Sequence, residues 1–374
     1  MKVLVTGGAG FIGSHTADAL LREGHAVRVL DSLEEPVHPG RRVPAYLDRR
    51  IDFVRGDVRD PHALLPALSG CDVVYHFAAF QDYLPLFSRF FDVNVTSTAL
   101  IYELIVREKL PVRKVIVASS QAALGEGRYL DAAGKALLPD IRPAAQLERG
   151  LWEVQAPSGF TGPLRWQPSD ESVANPQNQY GLSKIAQERV ALSLGKRYGV
   201  PSVAMRYSIV QGPRQSFYNA YSGACRVFCL NFHLGRVPAI YEDGQQVRDF
   251  VNIDDVVDAN LLVLREPGAD FEMFNVGGGR AHTVEQFAAS VARIYRVREY
   301  EPRPSGKYRF GDTRHICSDI GKLERLGWTP RRTIEDSVQA YKEWLAGAQN
   351  AAEILDFCNS QMAKLDVVRA VAKS

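Results

Sequence analysis

Residues 1–15 read MKVLVTGGAGFIGSH. The apolar, β-prone run Lys2–Thr6 ends at glycines, and helical periodicity follows almost at once over Phe11–Glu23, closing at Gly24, a residue suited to ending a helix. Gly7, Gly10 and Gly13 are spaced G-x-x-G-x-x-G, with Gly8 as one more flexible position. This differs from G-x-G-x-x-G, but the physical demand is the same. Backbone must approach a pyrophosphate closely, and the first N–H groups of the helix, at its positive dipole end, must face the phosphates. Glycines alone also mark plain turns; the strand–glycine–helix context makes these a dinucleotide loop. Gly7, Gly10, Phe11, Ile12 and Gly13 are the expected contacts.

Strand and helix signals keep alternating through the first 120 residues, the order that builds a parallel sheet. Ala26–Asp31, Ile51–Gly56, Asp72–Phe77 and Lys114–Ser119 read as strands, and Pro61–Leu68 and Ser88–Glu108 as helices. The segment KVIVAS is apolar on both faces, as a central parallel strand should be. Asp31 closes the second strand. A carboxylate there accepts hydrogen bonds from the adenosine ribose and repels a 2′-phosphate, which selects NAD over NADP. Asp57 and Val58, after the third strand, fall at the adenine edge, and Ala78 and Ala79, after the fourth, are small residues beside the cofactor.

Between Gly125 and Asn175 the pattern breaks, with five prolines, two tryptophans and no clean periodicity. A stretch that long is expected to be a folded insertion, about 126–175, near a functional surface. A helix over about Gln177–Tyr198 and a strand at Ser202–Tyr207 follow. From about Gly212, short strands, loops and helices (Thr283–Tyr295, Thr333–Leu345) suggest a smaller lobe, and an appended helix is expected after about Gln349. The expected fold is α/β, a Rossmann-type doubly wound parallel sheet with a smaller C-terminal α/β substrate-binding lobe. Residues 1–210 would form the NAD-binding domain and 211–346 mainly the substrate lobe, with some segments returning to the first domain. Residues 347–374 would be a helical extension.

Composition narrows the function classes. The chain has 374 residues, 46% hydrophobic and 24% charged, with a formal net charge of +2. No long Lys/Arg run suggests a nucleic-acid face, and no stretch approaches the roughly 20 apolar residues of a membrane span. The N-terminus lacks the charged region and cleavage site of a secretory signal. Cys71, Cys225, Cys229, Cys317 and Cys358 are scattered and odd in number. Cys225 and Cys229 are the only near neighbours, and no zinc site is expected at them. Reduced thiols, no metal and a cytoplasmic location are the expectations.

Tyr180 and Lys184 stand one turn apart on one face of the predicted helix. A phenol titrating near pH 10 is a poor base at neutral pH. A neighbouring ammonium, helped by an oxidised nicotinamide, favours the phenolate and makes it a usable general base. The pair gains weight from lying downstream of a dinucleotide loop and of Ser119-Ser120 at the end of the fifth strand.

With these motifs the sequence resembles the extended short-chain dehydrogenase/reductases, in their NAD-dependent sugar-nucleotide epimerase/dehydratase branch. The resemblance covers about residues 1–346. GGAGFIGSH resembles the family's nucleotide loop and ASSQAALGEG its serine-bearing strand end, with Ser120 at the catalytic position. YGLSK supplies Tyr180 and Lys184. Asn94 in DVNVTST matches an asparagine that orders the active-site helix, and is placed with the cofactor contacts. DGQQVRDFVNIDDVV and FNVGGG resemble the sugar-nucleotide segments. The likeness implies substrate contacts at Gln121 and Arg248, with Arg309 and Arg314 of KYRFGDTRH as further diphosphate or nucleotide contacts.

Two departures refine this. The 4,6-dehydratases of the branch follow the catalytic threonine with Asp-Glu, whereas Ser120 is followed by Gln121-Ala122, which cannot eliminate water. The strand that commonly continues R-[YF]-F-N-x-x-G-P here reads Arg206-Tyr207-Ser208-Ile209-Val210-Gln211-Gly212-Pro213, so Ile209 replaces an asparagine that usually contacts substrate. The insertion and GKYRFGDTRH look most like the dTDP-L-rhamnose 4-epimerase subgroup, although the cysteine pairs common in that insertion are absent. The resemblance therefore implies NAD-dependent C4 epimerisation of a nucleotide sugar by a homodimer. A 4-keto-sugar reductase or dehydrogenase is the rival reading, and a non-catalytic NAD sensor a remote one.

Overall fold

The computed structural model describes residues 1–219, 223–348 and 350–372. The chain opens with β1 (Lys2–Thr6), α1 (Phe11–Arg22), β2 (Ala26–Asp31), β3 (Asp52–Arg55), α2 (Pro61–Leu68) and β4 (Val73–His76). The single helix expected over Ser88–Glu108 is instead α3 (Phe87–Phe91), a π-turn (Asp92–Thr96) and α4 (Ser97–Arg107). The cause is local. The hydroxyls of Ser97 and Thr98 bond back to the carbonyls of Val93 and Asn94, competing with the regular helix ladder. β5 (Lys114–Ser120) follows.

The insertion folds as β6 (Arg128–Leu130), β7 (Ala136–Leu137), α5 (Ala144–Leu147) and β8 (Arg165–Gln167), its strands forming a small antiparallel sheet ordered β7-β6-β8. Then come α6 (Gln179–Tyr198), β9 (Ser202–Tyr207), β10 (Ile209–Gln211), α7 (Ala224–His233), β11 (Val247–Asn252), α8 (Ile253–Arg265) and β12 (Met273–Val276). The chain ends with β13 (Ala281–Thr283), α9 (Val284–Ile294), β14 (Lys307–Arg309), α10 (Gly321–Arg325), α11 (Ile334–Ala346), α12 (Ala351–Lys364) and β15 (Val368–Ala370). Gln349, from about which an appended helix is expected, lies outside the described residues, as do Lys373 and Ser374. β15 has no counterpart in the sequence reading; it pairs antiparallel with β14.

Seven strands form one parallel sheet in the order β12-β9-β5-β4-β1-β2-β3. The order reverses between β1 and β4, and a crevice opens there at the carboxyl ends of the strands, where open α/β sheets bind ligands. α1 and α8 cover one face with a core that includes Val3, Val5, Leu20 and Val257. α2, α4 and α6 cover the other through Leu4, Leu64, Ile101 and Ala191. A second core, built on Phe228, Phe250, Phe287 and Tyr341, joins α7, α9 and α11 into the smaller lobe, and α12 packs there through Ile354 and Leu355.

One buried ion pair sets the depth of α6. Glu188 accepts from Arg206 Nε at 2.7 Å and Nη2 at 2.8 Å, and both side chains are only 2% exposed. Glu188 also accepts from the Ser119 hydroxyl, so α6, β9 and β5 meet at one carboxylate. Removing one partner strands the other charge in the interior, so Glu188→Gln is expected to lower folding stability by about 3–5 kcal/mol. Equilibrium urea unfolding measures it; a loss below about 1 kcal/mol would mean that water reaches the pair.

Candidate active site

The dinucleotide loop works through close backbone approach. A Cβ on Gly7, whose φ is +65°, would stand 2.6 Å from the Ala78 nitrogen, and one on Gly13 would stand 2.4 Å from the Gly7 carbonyl oxygen. α1 starts at Gly10 with no side chain capping it, so its first N–H groups are left for a ligand. Gly7, Gly10, Phe11, Ile12 and Gly13 all line a cleft of about 690 Å³, as do Asp31, Asp57, Val58, Ala78 and Ala79. Asp31 accepts from the backbone N–H of Ala9 at 3.0 Å and of Leu33 at 2.9 Å, which fixes its carboxylate at the end of β2. Asp57 is tied to Arg59 by a two-point ion pair that holds its carboxyl below the usual range.

Ser120, Gln121, Tyr180 and Lys184 line the same cleft. β5 delivers Ser120. α6 delivers the other pair, its start fixed by Asn178, whose side chain accepts from the Gly181 N–H at 2.8 Å. Ser120 is hydrogen-bonded to the Tyr180 hydroxyl. Lys184 Nζ lies 5.7 Å from the Tyr180 ring centre and donates to the Ala118 carbonyl at 2.7 Å and to Gln187 Oε1 at 2.9 Å. Burial acts against the ionised form of each group. It pushes the Tyr180 phenol up to about 12, with the Ser120 bond as a smaller opposing effect, and the Lys184 ammonium down to about 7 against the pull of Glu188. In the unliganded cleft, therefore, desolvation keeps the phenol protonated, and the lowering expected from the lysine is not seen. An oxidised nicotinamide brings the further positive charge that favours the phenolate.

Other expected contacts separate. Arg248 and Arg309 line the cleft. Arg248 is held by the carbonyls of Val247 at 2.8 Å and Thr313 at 2.9 Å, while Arg309 donates to the Tyr83 hydroxyl at 3.2 Å. Arg314 is not at the cleft. Its buried guanidinium pairs with Glu153, with Glu242 at 3.0 Å and with Asp243 at 2.8 Å, so neighbouring carboxylates, not a diphosphate, neutralise it. Asn94 also stands off the cleft. It donates to the Ser183 hydroxyl at 2.9 Å and bonds both backbone groups of Phe80, joining the π-turn to α6.

Cleft residues that sequence reasoning missed are His38, Gln215 and Gln246. His38 Nε2 lies 3.7 Å from an Asp31 oxygen, and burial lowers the imidazole pKa. The available signal was position: Ser32–His38 follows the carboxyl end of a parallel strand, where such sheets place ligands. Among the described residues, no group of three or more His, Cys, Asp or Glu could hold a metal ion.

The sequence profile of the NAD dependent epimerase/dehydratase family matches residues 3–143 and 155–277. The chain belongs to this family. The unmatched gap, 144–154, falls inside the insertion. The chain is 34% identical over 352 residues to a dTDP-L-rhamnose 4-epimerase of Burkholderia thailandensis, covering 92% of this chain and 95% of that one. Among solved structures, a UDP-glucose 4-epimerase of Thermotoga maritima superposes with a TM-score of 0.74 at 28% identity, over 92% of this chain and 99% of that one. A dTDP-glucose 4,6-dehydratase double mutant of Streptomyces venezuelae, solved with NAD, gives 0.74 at 27%, over 95% and 100%. The epimerase/dehydratase cleft of this chain fits NAD on its own geometry, in the glycine cradle and the uncapped start of α1.

Proposed function

We propose that this protein catalyses NAD-dependent C4 epimerisation of a nucleotide-diphosphate sugar through a transient 4-keto intermediate. The observation that carries the reading is the convergence of Ser120, Tyr180 and Lys184 in the cofactor cleft without an acid pair after Ser120. Gln121-Ala122 stands where a dehydratase needs Asp-Glu. The curated relative at 34% identity, a dTDP-L-rhamnose 4-epimerase, supports the same class.

NAD, when bound, supplies reversible hydride acceptance and return at C4. The residues assigned to hold it are Gly7, Gly10, Phe11, Ile12, Gly13, Asp31, Asp57, Val58, Ala78 and Ala79. Tyr180 takes the proton of the sugar 4-hydroxyl and later gives it back. Ser120 hydrogen-bonds the same oxygen, and Lys184 supplies the charge that favours the phenolate. Arg248 and Arg309 hold the diphosphate, and Gln121 faces the sugar. Presenting the opposite face of the ketone before reduction inverts C4 and regenerates the cofactor.

The proposal extends to organisation. Residues 1–210 serve the cofactor and 211–346 mainly the substrate, with 347–374 as an extension. A homodimer is supported by exposed apolar side chains on neighbouring helices, Phe87 and Phe91 on α3 and Leu182 on α6. A cytoplasmic location is supported by five free, buried thiols. Among the described residues no helix is long and apolar enough to cross a membrane.

The test is incubation of the purified protein with dTDP-L-rhamnose, UDP-glucose and UDP-glucuronate, followed by separation of the sugar nucleotides. Conversion of one to its C4 epimer without net NADH formation is expected. Stoichiometric NADH formation would instead make the protein a dehydrogenase.

A further inference from the structure

Residues 351–372 lie past the end of the family resemblance, yet they reach the cleft. α12 docks on the smaller lobe through Ile354, Leu355 and Cys358, each at most 2% exposed, and the Cys358 sulfur accepts from Arg226 Nη1 at 2.6 Å. Met362 is also buried and continues that face, since residues four apart on a helix are neighbours. Asn359 stands four residues after Leu355 and three before Met362, at the edge of the same face, and is exposed. Asn359 and Met362 both line the cleft. The helix thus packs on the lobe with one side and forms part of the cleft wall with its edge.

The same segment holds a cleft arginine from two directions. Arg309 Nη2 donates to Met362 Sδ at 3.4 Å. From behind, β15 pairs antiparallel with β14, Val368 opposite Arg309, and the two strands form a sheet of their own. The Phe310 N–H continues that pairing to the Val367 carbonyl at 3.3 Å, and the Ala372 N–H reaches the Glu148 carbonyl of the insertion at 2.9 Å. A thioether directs a guanidinium without adding a charge of its own. Asn359 lies less than one helical turn from Met362, roughly 5 Å along the axis, so it flanks whatever Arg309 binds.

We propose that the C-terminal extension is a wall of the nucleotide-diphosphate site: Met362 and β15 position Arg309, and Asn359 faces the bound diphosphate. An amide N–H there can donate to phosphate oxygens. This deepens the nucleotide-sugar reading above and rests on it, because that reading gives Arg309 the diphosphate.

The test is a change of charge at Asn359, an exposed position where the fold tolerates either sign. Full-length, NAD-loaded protein is titrated calorimetrically with UDP, dTDP, CDP, GDP and ADP, and the tightest binder is carried to the variants. Asn359→Asp is expected to weaken it roughly tenfold or more, and Asn359→Lys to bind it at least as well as the wild type. Ser360→Asp places the same charge one residue on, at a side chain that does not line the cleft, and should stay within about twofold. Met362→Ala should weaken binding roughly tenfold and Met362→Leu, which refills the volume beside the guanidinium, less than about threefold. In turnover the Met362→Ala loss should appear in KM, with kcat and NAD content unchanged. Unchanged binding in Asn359→Asp, equal weakening by Asn359→Asp and Ser360→Asp, loss of NAD from Met362→Ala, or a fall in its kcat at unchanged KM would each overturn the proposal. Wild-type binding would then leave the nucleotide-sugar reading standing. Failure of the wild type to bind any of the five nucleotides would overturn that reading itself, and the proposal with it.

Discussion

Replacing Tyr180 by Phe is expected to lower kcat by at least 10²–10⁴-fold, the range typical of removing a general acid–base group, while the fold and NAD binding persist. The substitution removes one oxygen and leaves the buried ring in place on α6. That oxygen is the group bonded to Ser120. Ser120 alone is a poor substitute, since an alcohol is a far weaker acid than a phenol. The pH dependence adds a second signature. Burial holds the phenol up at about 12 in the unliganded cleft, so the phenolate fraction grows as pH rises through the neutral and basic range. Wild-type turnover should therefore vary more steeply with pH than the residual rate of Tyr180→Phe, which keeps only the Lys184 titration near 7. Initial rates measured from about pH 6 to 10 test this. Near wild-type turnover in the variant, or the same pH slope in both proteins, would remove Tyr180 from the proton path.

What was legible in the sequence was local. The dinucleotide loop could be read because strand, glycines and helix lie within one short stretch, and each glycine answers to a nearby backbone atom, as Gly13 does to the Gly7 carbonyl. Tyr180 and Lys184 were legible because a helix puts them on one face, and Ser120 because it ends a strand of central-sheet character. What failed was long range. Arg314 looks like a phosphate ligand until its partners are known, and they lie 161 residues away at Glu153 and 72 away at Glu242. The bond from Asn94 to Ser183, 89 residues on, is likewise invisible in the local sequence. The insertion sheet escaped because its strands are two or three residues long, too short for a period to show. β15 escaped for the same reason, and its partner β14 lies on the far side of α10, α11 and α12.

Lys184→Met is expected to reduce kcat about as severely, by roughly 10²–10⁴-fold, and to change stability in a way that depends on pH. Lys184 is 1% exposed, and its ammonium is held by the Ala118 carbonyl and Gln187 Oε1. Removing it deprives the Tyr180 phenolate of the nearest cation that α6 supplies. A catalytic loss with NAD affinity kept within about tenfold would place that contribution in the proton step and not in cofactor binding. The stability effect follows from burial. An unfolded lysine keeps its proton to about pH 10.4. The folded cleft releases this one near 7. Between those limits the unfolded chain binds more protons, so raising the pH stabilises the wild type, by at most about 1.4 kcal/mol per pH unit. Below about pH 7 both states are protonated and the full cost of burying the charge is present. Methionine has no such dependence. The stability of Lys184→Met relative to the wild type should therefore be most favourable near pH 6.5 and become steadily less so towards about pH 9.5, as read by urea unfolding of the NAD-free proteins. The two unmet acceptors left behind, the Ala118 carbonyl and Gln187 Oε1, shift the whole comparison by a constant and leave its slope unchanged. Parallel stability profiles would show that Lys184 keeps its charge in the folded cleft throughout. The proton step would then begin from an ammonium held by neighbouring carbonyls without a bound ligand, and the role assigned to the nicotinamide charge would belong to the protein.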